Sequence, residues 1–322
     1  MRLAFGLAAL AAMTTIASCG DDTASPPASD AGGAPDATSL DAGSGLDGAG
    51  GEAEADAGSV CDPSKAFGAP SRVPGINHPI AFDFSAGLSE NDLVATWSSD
   101  RADDGGSNGN YRVYTAKRAS AGATFGTPTV IDVLSDETTP GVTVSRDGKR
   151  AILTRSASTT GLWISERASA MDAWATPVAW SQSQQSDSDA FLVGPTGDVV
   201  YFYHAAKVQR SAWNGTDWSA PVEQAVTTPT PNLLRVAVTD DELTMYVGST
   251  TPAGAYDVFV ARRASTDAPW GDATIVNELA RPFPQWPTWI SKDGCVLWFG
   301  SIFDYDADAQ AGNFDIWMAS RQ

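Results

Sequence analysis

A pattern of five similar units runs through the chain from residue 61 onward. The units recur at intervals of roughly 45 to 56 residues, a spacing typical of repeats that each form one small sheet. Each unit opens with a small residue, a turn rich in Asp or Gly, and alternating apolar residues, which indicate two strands joined by a tight turn. These openings occupy residues 89–97, 145–153, 194–202, 239–247 and 291–299. The repeat therefore predicts an all-β fold.

The rest of each unit predicts a third and a fourth strand. A β-rich run that ends on a basic residue follows each opening, and the five runs are 111–118, 162–167, 208–210, 256–263 and 314–321. An aromatic residue stands about seven positions beyond that basic residue in the first four units and is usually followed by a proline. Because proline within a sheet is confined to edge strands, we expect the fourth strand to be outermost.

The two ends of the repeat region complement each other. The fifth unit ends at Gln322 before its fourth strand, whereas residues 67–70, Phe-Gly-Ala-Pro, carry the missing signature at the start. We therefore expect a single β-propeller of five four-stranded blades, closed by N- and C-terminal strands that share one blade. A sixth blade formed by residues 71–88 is the alternative. A β-sandwich would not repeat its aromatic and proline positions.

Two turns carry the residues of a known repeat. Residues 145–148 read Ser-Arg-Asp-Gly and residues 291–294 read Ser-Lys-Asp-Gly, and Asp-Ile-Trp follows at 315–317. In these residues the chain resembles the TolB-like, WD40-like propeller repeat over residues 67–322. The middle unit departs from the pattern because it lacks the Asp-Ile-Trp element. The resemblance implies the propeller fold and carries no activity over, since such propellers serve many roles.

The N-terminal residues predict an exported and lipid-anchored protein. Residues 1–19 begin with one cation, Arg2, and continue through an apolar run into Ile-Ala-Ser-Cys at 16–19, which is typical of a signal peptide. The last four residues resemble the bacterial lipobox, and the resemblance implies that Cys19 receives the lipid and becomes the mature N-terminus. An ordinary signal peptide with an incidental cysteine is the alternative. We expect a lipoprotein of the bacterial cell envelope, in the outer membrane and either periplasmic or surface-exposed.

Residues 20–60 are expected to form a disordered linker between the anchor and the propeller, which takes up residues 61–322. The linker is almost entirely Asp, Ala, Gly, Ser, Pro, Thr and Glu, with no Lys, Arg or aromatic residue. Such a segment has too little apolar surface to offset the entropy of ordering it. It should therefore act as a flexible tether.

The charge balance excludes two classes of partner. Nine of the 39 acidic residues lie in 20–60, so the predicted propeller keeps 30 acids against 19 bases, a net charge near −11. A nucleic acid would demand a basic surface, so none is expected as partner. Anionic headgroups would repel the propeller, so the membrane should be reached only through the lipid.

Two long acidic loops are candidate ligand sites. In a four-stranded blade, the loops between second and third strands share a face with the blade-to-blade connections, which we call the long-loop face. One such loop carries Asp100, Asp103 and Asp104, and another carries Asp304, Asp306 and Asp308. The alternating acids of the second loop, with Asp315 eleven positions beyond Asp304, match the spacing of a calcium-binding loop. At the position where such a loop requires glycine, this chain has Ala309. An acidic loop that is merely solvated is therefore the alternative. No other cofactor is expected.

The channel of a propeller is a second candidate site. Asp83, Asp189 and Glu223 are the acids nearest to predicted first strands or to the loops that enter them, and two carboxylates about 5 to 10 Å apart would serve a glycoside hydrolase. Arg235, at the start of an inner strand, is expected to meet Asp189 or Asp83. The two histidines, His78 and His204, lie in no nucleophile motif, so a catalytic triad is not expected.

Aromatic residues and cysteines complete the set of candidate residues. Trp180, Trp213, Trp286 and Trp289 are expected in connections, where they stack on a ligand or pack between blades. Cys61 and Cys295 should form a disulfide in an oxidising compartment, provided that their Cα atoms lie within about 7 Å. 

These residues favour a monomeric, noncatalytic binding or scaffold module for a protein, peptide or glycan. A carbohydrate-active hydrolase that uses channel carboxylates is the alternative, and a purely structural envelope component is a third reading.

Overall fold

The computed structural model describes residues 61–322, apart from 103–105, 157–160, 185–186, 253 and 306–308. The described residues form five antiparallel four-stranded sheets and one short 3-10 helix, Asp132–Leu134. Within this described part, no helix is both long and apolar enough to span a membrane. The chain is therefore all-β over the part that carries the repeat.

Each sheet is one blade, and its strands follow one another from the channel outward. β1 (Ser71–Arg72) precedes the first complete blade. Blade 1 contains β2 (Asp83–Ser89), β3 (Val94–Arg101), β4 (Ser107–Lys117) and β5 (Thr129–Val130). Blade 2 contains β6 (Gly141–Val144), β7 (Arg150–Arg155), β8 (Gly161–Glu166) and β9 (Val178–Ala179). Blade 3 contains β10 (Ser188–Val193), β11 (Val199–His204), β12 (Lys207–Ala212) and β13 (Val222–Gln224).

The last two blades complete the ring. Blade 4 contains β14 (Leu233–Val238), β15 (Thr244–Thr250), β16 (Tyr256–Arg262) and β17 (Thr274–Ile275). Blade 5 contains β18 (Gln285–Ile290), β19 (Val296–Asp304) and β20 (Ala309–Ser320), with β1 as its outer strand. The five inner strands β2, β6, β10, β14 and β18 contact one another in cyclic order around the channel. The fold is a five-bladed β-propeller, as the repeat predicts.

The ring closes where the start and the end of the described chain meet. β1 pairs with β20 in antiparallel register, with Ser71 opposite Met318 and Arg72 opposite Trp317. Residues 71–72 thus belong to blade 5 and residues 83–89 to blade 1, so the alternative of a sixth blade from residues 71–88 is wrong. Cys61 forms a disulfide with Cys295, which immediately precedes β19, and the two Cα atoms lie 6.1 Å apart. This bond attaches the residues before β1 to the blade that β1 completes.

The recurring arginine and aromatic residue of the repeat contact each other. The guanidinium carbon lies over the ring at 4.7 Å in Arg118 and Phe125 and at 4.3 Å in Arg263 and Trp270. Arg167 with Trp174 and Arg321 with Phe67 repeat the contact at 4.3 and 4.0 Å. The last of these pairs joins the first and the last residues of the repeat region. The spacing of about seven residues therefore follows from a cation–π contact that fixes the outer strand against the third.

Candidate functional site

Three inner strands hold a non-glycine residue in a left-handed backbone conformation. Ser85, Asp189 and Arg235 have φ angles of 51°, 50° and 49°. Each lies at a β-bulge, where β2, β10 and β14 shift register against their neighbours. A bulge redirects a side chain, and strained backbone of this kind collects at functional sites. The three residues therefore mark the channel as the candidate site.

Arg235 crosses the channel near the long-loop face. Its Nε lies 3.5 Å from Oδ1 of Asp189 in blade 3, and its Nη1 donates a hydrogen bond to Oγ of Ser85 in blade 1. Its guanidinium carbon lies 5.4 Å from the ring centroid of Phe84 and 5.7 Å from that of Trp286. A cavity of about 20 Å³, lined by residues of all five inner strands, is left beside it. This volume holds a water molecule and not a sugar ring.

A second arginine closes the channel at its other end, where the short turns between first and second strands lie. Arg146, in the turn after β6, has its Nε 2.9 Å from Oδ1 of Asp240, in the turn after β14. Its Nη2 donates a 2.8 Å hydrogen bond to the carbonyl of Ile290, and its guanidinium carbon lies 5.2 Å from the ring centroid of Trp289. An arginine paired with an aspartate thus lies at each end of the channel.

A group of aromatic rings lies on the long-loop face beside Arg235. We call it the aromatic patch, and its members are Phe82, Phe84, Tyr111, Tyr256, Trp286 and Phe314. Trp286 and Phe314 stack with centroids 4.6 Å apart, and Phe84 lies 5.0 Å from Phe314. All of these rings except that of Phe84 belong to partly exposed residues. The patch therefore presents apolar ring surface to a ligand from blades 1, 4 and 5.

The two tyrosines add hydroxyl groups to the patch. Tyr111 lies 5.5 Å from Phe84 and Tyr256 lies 6.1 Å from Trp286, measured between ring centroids. Burial, together with the negative charge of Asp100, raises the pKa of Tyr111 to about 12, against the opposing effect of Arg235. The Tyr111 phenol therefore stays protonated at neutral pH and serves as a hydrogen-bond donor.

The three predicted catalytic carboxylates do not meet. Asp83 is fully buried and accepts hydrogen bonds from Arg101 Nη2 at 2.6 Å and Trp97 Nε1 at 3.1 Å. Burial raises the pKa of Asp83, although Arg101 opposes the shift. Glu223 lies on the outer strand β13, 2.7 Å from the Nζ atom of Lys207. Its expected place near an inner strand is wrong, because the outer strand runs through 222–224 before the connection to the next blade begins. Only Asp189 reaches the channel, where it meets Arg235 as expected.

The described acids of the two acidic loops, Asp100 and Asp304, lie in paired strands, as does Asp315. Asp100 is buried in β3 and accepts hydrogen bonds from the Phe82 amide at 2.8 Å and Ser107 Oγ at 2.6 Å. Asp304 and Asp315 lie 2.8 and 3.2 Å from Nη2 of Arg72, which supplies positive charge to both. Burial, foremost, raises the pKa of Asp315 to about 6.

The calcium prediction is not decided by these contacts. Asp103, Asp104, Asp306 and Asp308 lie outside the described residues. Among the residues that the structure describes, no group of three or more His, Cys, Asp or Glu side chains is placed to hold a metal ion. The metal site stays a prediction.

The remaining candidates have structural partners. His78 Nδ1 accepts the Ala81 amide at 3.2 Å, and His204 Nδ1 lies 2.7 Å from Oδ1 of Asp187. Trp180 and Trp289 are buried between other residues, and Trp213 packs on Trp218. Of the four tryptophans expected either to contact a ligand or to pack between blades, Trp286 alone belongs to the aromatic patch.

Sequence reasoning missed several residues of this region. Phe82, Phe84 and Phe314 flank the buried Asp83 and Asp315, so alternation of apolar and acidic residues was their one signal. Ser85 and Arg146 carry no such signal, because their positions depend on a bulge and on contacts between separate blades.

Comparison with known proteins shows the fold alone. No protein-family model matches the chain, and no curated protein matches it. The GH43_1 enzyme of Xanthomonas citri, solved with xylotriose, is similar with a TM-score of 0.50 and 12% identity, covering 77% of this chain and 89% of that one. The catalytic domain of the Coprinopsis cinerea GH62 α-L-arabinofuranosidase reaches 0.48 at 11% identity, over 81% of this chain and 98% of that one. TolB from Acinetobacter baumannii has a TM-score of 0.40 and 10% sequence identity, and the match covers 74% of this chain and 54% of that one.

Proposed function

We propose that this chain is a noncatalytic binding module, held at the bacterial cell envelope by a lipid on Cys19, that engages a protein, peptide or glycan through its long-loop face. The observation that carries the proposal is the pairing of Arg235 with Asp189 across the channel, beside a partly exposed aromatic patch. The channel is filled, and the apolar surface for a partner lies on the face above it.

The filled channel argues against glycoside hydrolysis. That chemistry needs two carboxyl groups on either side of the scissile bond, with room for the sugar between them. Asp189 is instead neutralised by Arg235, and the remaining cavity of about 20 Å³ is the size of a water molecule. Substrate would have to displace the Arg235 side chain and break its contacts with blades 1 and 3.

A lipid anchor and a tether suit such a module. Residues 20–60 would let the propeller reach partners within a limited volume above the membrane, which raises their effective concentration. The anchor is tested by growing expressing cells with radiolabelled palmitate. The full chain should incorporate label and sediment with membranes, whereas the Cys19→Ala chain should do neither; equal labelling of both chains would refute the anchor.

One experiment separates binding from catalysis. The purified full chain is incubated with panels of oligosaccharides and peptides, and both complex formation by calorimetry and release of reducing ends are measured. Binding without release is expected. Hydrolysis that is abolished in the Asp189→Asn chain would refute the proposal and establish the alternative, a carbohydrate-active hydrolase, which the strained placement of Asp189 in the channel favours.

A further inference from the structure

The aromatic patch has a shelf of nearly parallel rings at its centre. Trp286 and Phe314 stack at an interplanar angle of 27°, and the ring of Phe84 lies 5.0 Å from that of Phe314 and is tilted from it by 42°. Trp286 and Phe84 are paired within their sheets with Gly300 and Ser98, and Phe314 directly precedes the paired Asp315, so the sheet positions the shelf. Such a shelf matches a ligand that has a flat apolar face.

Polar groups surround the shelf and have no hydrogen-bond partner among the residues that the structure describes. In the described part of the chain, the hydroxyls of Tyr111 and Tyr256 make no hydrogen bond, and neither does Nη2 of Arg235. Both tyrosines are partly exposed. The patch therefore offers hydrogen-bonding groups from blades 1 and 4 around apolar rings of blades 1 and 5. This mixture suits a ligand whose apolar face is bordered by hydroxyls, which is the chemistry of a sugar ring.

The negative charge of the propeller favours neutral saccharides over anionic ones. The residues from 61 to 322 carry a net charge near −11, and the charge of Arg235 is balanced by Asp189 at 3.5 Å. An anionic saccharide would meet a repulsive field with no unpaired cation at the shelf to offset it. The favoured ligand is therefore neutral.

The sheet geometry disfavours an extended peptide. A peptide that adds a strand needs an unpaired sheet edge. The third strands β4, β16 and β20 each lie between two partner strands of their blade, and the free edges of the inner strands β2 and β18 face the channel. A proline-rich peptide binds to aromatic rings without adding a strand to a sheet, so it remains a possible type of peptide ligand. It serves as a control in the experiment below.

We infer that the aromatic patch binds a ring of a neutral saccharide, which packs against the stacked pair of Trp286 and Phe314 while Tyr111, Tyr256 and Arg235 hydrogen-bond to its hydroxyls. This inference rests on the binding function proposed above and names the ligand class of that site.

The test uses conservative changes that leave the rings in place. The full chain is titrated with neutral hexaoses of xylose, glucose, mannose and arabinose, with a galacturonate oligomer, and with a proline-rich peptide, by calorimetry and tryptophan fluorescence. Tyr111→Phe and Tyr256→Phe should each weaken the saccharide that binds by roughly three- to tenfold, the effect of one hydrogen bond. Tyr246→Phe is the matched control, because the Tyr246 hydroxyl accepts from Arg321 at 2.8 Å, away from the patch; it should change affinity less than twofold.

The outcomes distinguish this inference from the function on which it rests. Absence of binding to every neutral saccharide, or binding that neither Tyr111→Phe nor Tyr256→Phe weakens, overturns the inference. Binding of the proline-rich peptide alone, weakened by the same changes, overturns the ligand class and leaves the binding module standing. Cleavage of a bound saccharide refutes the noncatalytic function while the site itself stands.

Discussion

Three residues with strained backbone conformations place their side chains together in the channel. Ser85, Asp189 and Arg235 converge because each sits at a bulge with positive φ, and the arginine then spans three blades. An L-residue in this conformation costs roughly 1–2 kcal/mol. None of the three is glycine, so the sequence carries no sign of left-handed backbone at these positions. The meeting of Arg235 with Asp189 was predicted from strand position, whereas the third partner, Ser85, was not.

Replacing Ser85 separates strain from hydrogen bonding. Ser85→Ala removes the hydroxyl that accepts the hydrogen bond from Arg235 and keeps a Cβ atom on the strained backbone. It should lower the free energy of unfolding by about 1–3 kcal/mol. Ser85→Gly removes the same acceptor but relieves the conformation, so it should be more stable than Ser85→Ala by about 1 kcal/mol. Urea unfolding of both chains measures the difference. An alanine chain as stable as the glycine chain would show that position 85 is not strained.

Asp315 should make stability depend on pH. Its pKa in the folded protein is about 6, raised from 3.8 foremost by burial. The folded state therefore binds more protons than the unfolded state between these values, and stability falls as pH rises from about 4 to 6. The loss over this range should be about 2–3 kcal/mol. In Asp315→Asn this part of the pH dependence should vanish in melts taken from pH 4 to 7; unchanged dependence would contradict the assignment.

At the scale of elements, the repeated contact of arginine with an aromatic ring explains why the strands were predictable. The pattern marks the end of the third strand and the approach to the fourth, and every blade but the third uses it. The outer strands begin several residues beyond the aromatic residue, as β13 does after Trp218. Glu223 was misplaced because the repeat predicts the order of the strands more accurately than it predicts the residue at which each strand begins.

Substituting Arg263 tests this contact in blade 4. Its Nε donates to the carbonyl of Glu242 at 2.7 Å while its guanidinium lies on Trp270. Arg263→Lys keeps the charge but loses the planar donor, and should lower the free energy of unfolding by about 1–2 kcal/mol. Arg262→Lys, at the exposed neighbouring position, should change it by less than about 0.5 kcal/mol. Equal effects in guanidinium unfolding would contradict a structural role for the contact.

At the scale of the whole molecule, one closed ring accounts for blade number, strand order and the pairing of the chain ends. The repeat count and the unmatched signature at residues 67–70 were sufficient to predict that arrangement. They were insufficient for the contacts between blades, such as Arg146 with Asp240, because those contacts join turns that lie far apart in sequence. The fold was thus predicted almost completely and the candidate site only in part.

The disulfide should stabilise the closed ring. Cys61 and Cys295 are separated by 234 residues, so the bond restricts a long loop in the unfolded chain. The Cys61→Ser chain should be less stable than the parent by about 2–5 kcal/mol. Thermal melts under oxidising conditions measure the loss, and a reducing agent should lower the melting temperature of the parent and leave that of Cys61→Ser unchanged. An unaffected parent would contradict the prediction.

The pairing of β1 with β20 has a consequence for how the protein is made. Ser71 lies opposite Met318. β1, the first strand of the propeller in the chain, therefore has no partner until β20, the last strand of the propeller, has been made. Blades 1 to 4 each consist of consecutive strands, whereas blade 5 combines β1 with the last three strands of the propeller. Until synthesis finishes, the nascent chain carries an open sheet edge of the kind that recruits chaperones or neighbouring chains. A chain that lacked Trp317 and Met318, the partners of β1 in β20, would leave that edge open permanently.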